Sequence, residues 1–138
     1  MTDYAPISLS VVDDAGNELI SSSVPYSFEI TARQVLERAV VLLQDPSSPD
    51  PIMFTLCYYG YSQAAGYPGY LGYEIESIGD FANQPGFYWD LIVDGVSSST
   101  GADSTYPRPG ASVTWQYTAI GNVADLNPRT AALVKRRR

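Results

Sequence analysis

The sequence predicts a single α+β domain, a mixed sheet with one helix packed across one face. Three observations predict it. Residues 112–119 alternate strictly, with Val113, Trp115, Tyr117 and Ala119 on one side and Ser112, Thr114, Gln116 and Thr118 on the other. That period of two marks a strand with one wet face. Residues 87–93 form a run of aromatic and branched side chains, which suit a pleated, half-buried surface. Residues 31–43 carry the chain's one convincing helical stripe. Both tryptophans, Trp89 and Trp115, lie in the two strand segments, so this pair is expected to anchor the core. The chain's 138 residues, 45% of them hydrophobic, suffice for one domain with a substantial core.

In chain order, residues 7–12 read as a strand with Ile7, Leu9 and Val11 on one face. Residues 13–17, Asp-Asp-Ala-Gly-Asn, read as a turn, because these residue types tolerate its dihedrals. A second strand lies within 18–30, interrupted by Ser21, Ser22 and Ser23. Pro25 lacks the amide that a central ladder needs, which points to an edge or a bend. Thr31 and Gln34 fit a capping box, each side chain reaching the other's backbone amide. Val35, Leu36, Ala39, Leu42 and Leu43 then form an apolar stripe, and Arg33 and Glu37 stand one turn apart. Pro46 ends the helix.

Residues 52–59 read as a central strand, apolar on both faces except at Thr55. Residues 60–72 read as a glycine-rich loop. Six of the eleven tyrosines lie between Tyr58 and Tyr73. Residues 73–78 form a strand in which Glu74 and Glu76 share a solvated face opposite Tyr73, Ile75 and Ser77. Asp94-Gly95 turns the chain after the 87–93 strand, and residues 112–119 close the sheet. The expected order is β-β-α-β-β-β-β, a β-grasp-like arrangement in which one helix covers one face of the sheet. The body is expected to span residues 1–120 and an extended, basic-ended C-terminal tail residues 121–138.

Charge and chemistry narrow the function. Net charge is −7, and four of the eight basic residues are Lys135, Arg136, Arg137 and Arg138. The first 134 residues therefore hold four basic against fifteen acidic side chains, a net −11. Such a body repels nucleic acid. The chain has no histidine and one cysteine. It thus lacks the commonest general base and metal ligand, and no internal disulfide can form. Cys57 sits in an apolar run and reads as a small core hydrophobe. Asp13, Asp14, Asp80, Asp90, Asp94 and Asp103 read as turn acids. Residues 66–72 lack the Lys-Ser/Thr ending of a phosphate loop. The opening residues have neither a basic n-region nor an apolar run, so no signal peptide is expected and synthesis is expected in the cytoplasm. No segment has the roughly 20 apolar residues of a membrane helix.

Four segments in order resemble one family. They are Ile30-Thr-Ala-Arg-Gln-Val-Leu-Glu-Arg-Ala39 at the helix start, Gly72-Tyr-Glu-Ile-Glu-Ser-Ile-Gly79, Phe87-Tyr-Trp-Asp-Leu-Ile-Val-Asp-Gly95, and residues 101–106 with Gly110 and the last strand. Together, over residues 6–120, they resemble the transcobalamin-like C-terminal domain, the small β-grasp domain of vitamin B12 carriers that also occurs in bacterial surface proteins. The resemblance implies a β-grasp fold and, in the carriers, a domain that caps a ligand held mainly by a separate helical domain. The tyrosine loop is an enlargement outside the family pattern.

These features favour a non-catalytic interaction module, a structural or accessory subunit docking on a larger assembly such as a virion or surface array. Its partner would be another protein or further copies of the chain. The expected contacts are Tyr59, Tyr61, Tyr67 and Tyr70 on the loop, with Lys135, Arg136, Arg137 and Arg138 meeting an acidic partner. The alternative is a stand-alone small-ligand domain that holds a corrinoid-like ligand against the tyrosine loop and Trp89. No catalytic, cofactor-binding or metal-binding residue is expected.

Overall fold

The computed structural model describes residues 4–43, 53–64, 67–84, 86–121 and 126–136, with backbone alone for 41–43, 64, 135 and 136. Ten strands and two helices occur in these stretches. They are β1 Ile7–Val12, β2 Glu18–Val24, α1 Ala32–Leu43, β3 Phe54–Tyr58, β4 Tyr61–Ala64, β5 Tyr67–Tyr70, β6 Tyr73–Ile78, β7 Phe81–Ala82, β8 Phe87–Val93, β9 Val96–Ser97, β10 Ser112–Ala119 and α2 Pro128–Arg136. The fold is α+β.

The main sheet has the order β2-β1-β10-β8-β9. β1 and β10 lie parallel at its centre, with Leu9 opposite Val113 and Val11 opposite Trp115. β10 and β8 run antiparallel and set Trp115 against Leu91 and Tyr117 against Trp89. The period-two pattern therefore puts Ile7, Leu9, Val11, Trp89, Leu91, Val113, Trp115 and Tyr117 on one inner face, all buried. Val35, Leu36 and Ala39 of α1 are fully buried in the same cluster. Fully burying a Val or Leu side chain contributes about 1.5–3 kcal/mol. The capping box forms as expected. Thr31 N donates to Gln34 Oε1 at 2.9 Å, and Gln34 N donates to Thr31 Oγ1 at 3.2 Å. Asp94 and Gly95 take positive φ in the β8–β9 hairpin, the conformation that a two-residue turn requires.

Ile75 and Ile78 of β6 join this core from a second, three-stranded sheet of order β3-β6-β7. β4 and β5 form a separate two-stranded hairpin. Several expectations change here. The 52–59 strand is not central. β3 is an edge strand of the small sheet, half-buried at Phe54, Leu56 and Cys57 and exposed at Thr55 and Tyr58. Phe54 and Leu56 pack, partly buried, against the edge of the main core. Cys57 is accordingly half-buried. The expected loop contains the β4–β5 hairpin. Pro68 and Gly69 suggest a loop, but a two-stranded ribbon has no inner strand whose amides must all donate.

The extended tail is also corrected, because residues 128–136 are helical. Asn127 caps this helix. Its Oδ1 accepts from Thr130 N at 2.8 Å and its Nδ2 donates to Ser98 O at 3.3 Å. Pro128 occupies the first helical position, where a missing amide costs nothing. Nine residues do not sustain a helix alone. Arg129, Thr130, Leu133 and Val134 are buried, and this packing holds the helix.

Candidate functional site

The register of β3 with β6 sets Tyr58 opposite Tyr73, and that of β4 with β5 sets Tyr61 opposite Tyr70. The rings form a continuous row. Centroids lie 5.1 Å apart for Tyr61–Tyr70, 6.2 Å for Tyr70–Tyr58 and 4.8 Å for Tyr58–Tyr73. The Arg33 guanidinium stands 4.8 Å above the Tyr73 ring, a cation–π contact that joins the row to α1. Tyr61 is 67% exposed and Tyr58 52%.

Asp103 pins this surface from behind. Its Oδ2 accepts from the Tyr70 hydroxyl at 2.8 Å, and its Oδ1 accepts from Tyr73 N at 3.1 Å. The hydrogen bond to Asp103, then burial, holds the Tyr70 phenol far above its usual range, so it remains a donor. Gly72 makes the close approach possible. Its φ is +70°, and a Cβ there would lie 2.6 Å from Asp103 Oδ1 and 2.8 Å from Tyr70 Cε2.

Beneath this lies a buried ion pair. Glu74 is not on a solvated face: it is buried, and Arg129 Nη2 donates to Glu74 Oε1 and to Leu71 O. Arg129 is 3% exposed, and its Nε has no hydrogen-bond partner among the described residues. Glu76, two residues on, is exposed as expected. A lone buried carboxylate costs several kcal/mol, and the partner that relieves Glu74 comes from 55 residues away. On β8, Tyr88 and Asp90 share the face opposite Trp89. Burial, then the nearby Asp90 charge, pushes the Tyr88 phenol up to about 12. Burial likewise raises Asp90, against a hydrogen bond from Ser97.

Of the expected contact residues, Tyr61 and Tyr70 belong to the row. Tyr59 is half-buried, with its backbone amide donating to Gly72 O at 2.8 Å. Tyr67 is half-buried, and its hydroxyl donates to Tyr70 O at 3.4 Å. Lys135 and Arg136 end α2, while Arg137 and Arg138 lie outside the described residues. Tyr58, Tyr73, Arg33 and Asp103 complete the surface without having been singled out as contacts. Cross-strand registry brings in the two tyrosines, and the one signal for it was the density of tyrosines from 58 to 73, whereas Arg33 reaches the row from α1 and Asp103 from a turn. Trp89 is buried and donates from Nε1 to Phe81 O at 3.0 Å, so it is closed to the ligand expected against it. Among the described residues, no three His, Cys, Asp or Glu side chains gather as a metal-ligand set, and no helix is long and apolar enough to cross a membrane.

Comparison with known proteins gives a partial picture. Residues 59–119 match a sequence family described as "Domain of unknown function (DUF4430)". No curated protein matches the chain. Haptocorrin in complex with Cbi is similar in structure at TM-score 0.65 and 19% identity, over 88% of this chain and 26% of haptocorrin. The chain thus spans about a quarter of that protein. A Ruminococcus gnavus protein provisionally described as metal binding is similar at TM-score 0.51 and 13% identity, over 85% of this chain and 99% of that one. At these identities the likeness is one of fold.

Proposed function

We propose that this chain is a non-catalytic small-ligand-binding domain, and that the row Tyr61–Tyr70–Tyr58–Tyr73 is the surface that covers the ligand. The observation that carries this reading is the combination of exposure and rigidity in that row. Tyr58 and Tyr61 are more than half exposed, while Asp103 fixes Tyr70 and the backbone at Tyr73. Tyrosine offers large contact area at low cost in conformational entropy, and a surface that is already ordered loses less on binding. Haptocorrin, crystallised with Cbi, carries the same fold over a quarter of its length. A domain of that size acts there beside a larger remainder, which supports a capping role for this one. An apolar, ring-bearing ligand of the corrinoid kind fits an open aromatic face.

Titration of labelled protein with a corrinoid, followed by amide chemical shifts, tests the reading. Shifts centred on residues 58–73, lost in Tyr58→Ser/Tyr61→Ser, are expected. Shifts elsewhere, or none, overturn it.

A protein partner is the second reading. Exposed tyrosines are also typical of protein interfaces, and Lys135 and Arg136 form the end of α2. Lys135, Arg136, Arg137 and Arg138 would then meet an acidic partner. Binding that weakens with salt, and weakens less once those four residues are removed, would favour this reading.

A further inference from the structure

A groove lies outside the tyrosine row and shares none of its residues. Tyr26, Phe28, Glu29, Tyr106, Pro107 and Arg108 line this open groove of about 280 Å³. Phe28 is 85% exposed and Tyr106 59%, a level at which large aromatic side chains call for explanation. The groove is built, not incidental. Ile30 N donates to Ser27 O at 3.0 Å, closing a turn with Phe28 and Glu29 at its corner. Arg38 Nη1 donates to Ser27 Oγ at 2.8 Å and ties the turn to α1. On the opposite wall, Ala32 N donates to Thr105 O at 2.9 Å and Ala111 N to Arg108 O at 3.0 Å. Tyr4 backs Tyr26 edge-on at 5.1 Å.

Glu29 is the second observation. Its φ is +58°, an uncommon conformation for a residue with a side chain and a strain that tends to accompany function. Glycine would sit there without strain. Glu29 and Arg108 are both exposed, and neither forms an ion pair among the described residues. The groove therefore combines three aromatic rings with a carboxylate and a guanidinium that form no ion pair among the described residues.

We propose that this groove binds a small zwitterion of the phosphocholine kind, a quaternary ammonium joined to an anionic group. Aromatic rings attract a quaternary ammonium through their negative faces. The Glu29 carboxylate adds attraction that needs no hydrogen-bond donor on the ligand. The Arg108 guanidinium presents the planar fork that matches a phosphate. The net charge of −7 favours the cationic half of the ligand and disfavours a simple anion. The volume falls just below the roughly 300–1,000 Å³ of sites for drug-sized ligands, which suits a headgroup and excludes a corrinoid.

The test is titration of the full chain with phosphocholine, read by amide chemical shifts, with tetramethylammonium and inorganic phosphate as the two half-ligands. Phosphocholine should shift residues 26–29 and 106–108 and bind more tightly than either half. Phe28→Ala should weaken it about two- to fivefold, the value of one exposed cation–π contact. Glu29→Gln and Arg108→Gln should each weaken it with melting unchanged, because both side chains are exposed. Glu29→Gly should lose affinity while melting at or above the parent temperature, an outcome that a purely structural role for Glu29 would not produce. Co-sedimentation with phosphatidylcholine vesicles, but not phosphatidylglycerol vesicles, would identify a lipid as the source, whereas free phosphocholine bound without vesicle binding would identify a soluble one. Absent shifts at high-millimolar phosphocholine, phosphate binding as tight as phosphocholine binding, or unchanged affinity in Phe28→Ala and Glu29→Gln would each overturn the proposal.

Discussion

Arg129 shows how much one side chain decides in this protein. It reaches from α2 to the buried Glu74 carboxylate and to Leu71 O, at the base of the tyrosine surface. Removing one member of a buried pair leaves the other charged and dry, which typically costs about 3–5 kcal/mol. Arg129→Met is therefore expected to lower unfolding free energy by about that amount, measured by denaturant melts. The double variant Arg129→Met/Glu74→Leu should recover much of the loss, because replacing both partners removes the orphaned charge. A double variant no better than the single one would show that α2 packing, not charge, accounts for the loss. Trp115 and Trp89 act by volume instead. Both are buried, and truncating either to Ala should cost about 3–5 kcal/mol. A soluble Trp115→Ala protein with unchanged melting would remove it from the core.

At the scale of elements, α2 and the β4–β5 hairpin differ in how they are held. α2 is too short to persist without Leu133, Val134 and Arg129 packed beneath it. Ending the chain at Gly121 should lower the melting temperature clearly and expose Glu74. A truncated chain that melts with the parent would instead make α2 an accessory segment. The hairpin is pinned at its end by Tyr70 and Asp103. Gly72→Ala puts a Cβ into both of these groups and strains a left-handed backbone. It should destabilise by more than the ~1 kcal/mol typical of a helical Ala/Gly exchange and should weaken ligand binding at the tyrosine row.

At the scale of the whole molecule, two aspartates among the described residues make stability depend on pH with opposite sign. Asp13 accepts backbone hydrogen bonds from Asn17 and Ala15 at 2.8 and 2.9 Å, which hold its carboxyl below the ordinary 3.8. Its contribution is present above 3.8 and is lost as pH falls through the lower folded value. Asp90 is raised by burial, so the folded state binds a proton that the unfolded state lacks just above 3.8. Its ionised form therefore costs stability at neutral pH, and that cost disappears as pH falls through the raised folded value. Asp90→Asn should raise the melting temperature at pH 7, with the gain shrinking as pH approaches 3.8. Melting curves across that range check the sign, and a lower melting temperature at pH 7 would contradict it.

Local pattern alone determined a good part of this molecule. The alternation in residues 112–119, the aromatic run in 87–93, the Thr31–Gln34 capping box and the Asp94-Gly95 turn all read correctly, because each depends on residues within a few positions of one another. The same signals gave the α+β class and the tryptophan core. What lay beyond them depended on distant partners. Glu74 looks solvated until Arg129 arrives from α2. Residues 128–136 look like a tail because their Asn127-Pro128 start is a modest signal and their support is tertiary. Asp103 looks like an ordinary turn acid until the chain returns Tyr70 and Tyr73 to it. The tyrosine row likewise exists only through the pairing of β3 with β6 and β4 with β5. Period and capping are written in neighbouring residues, whereas burial of a charge and registry between strands are properties of the folded chain alone.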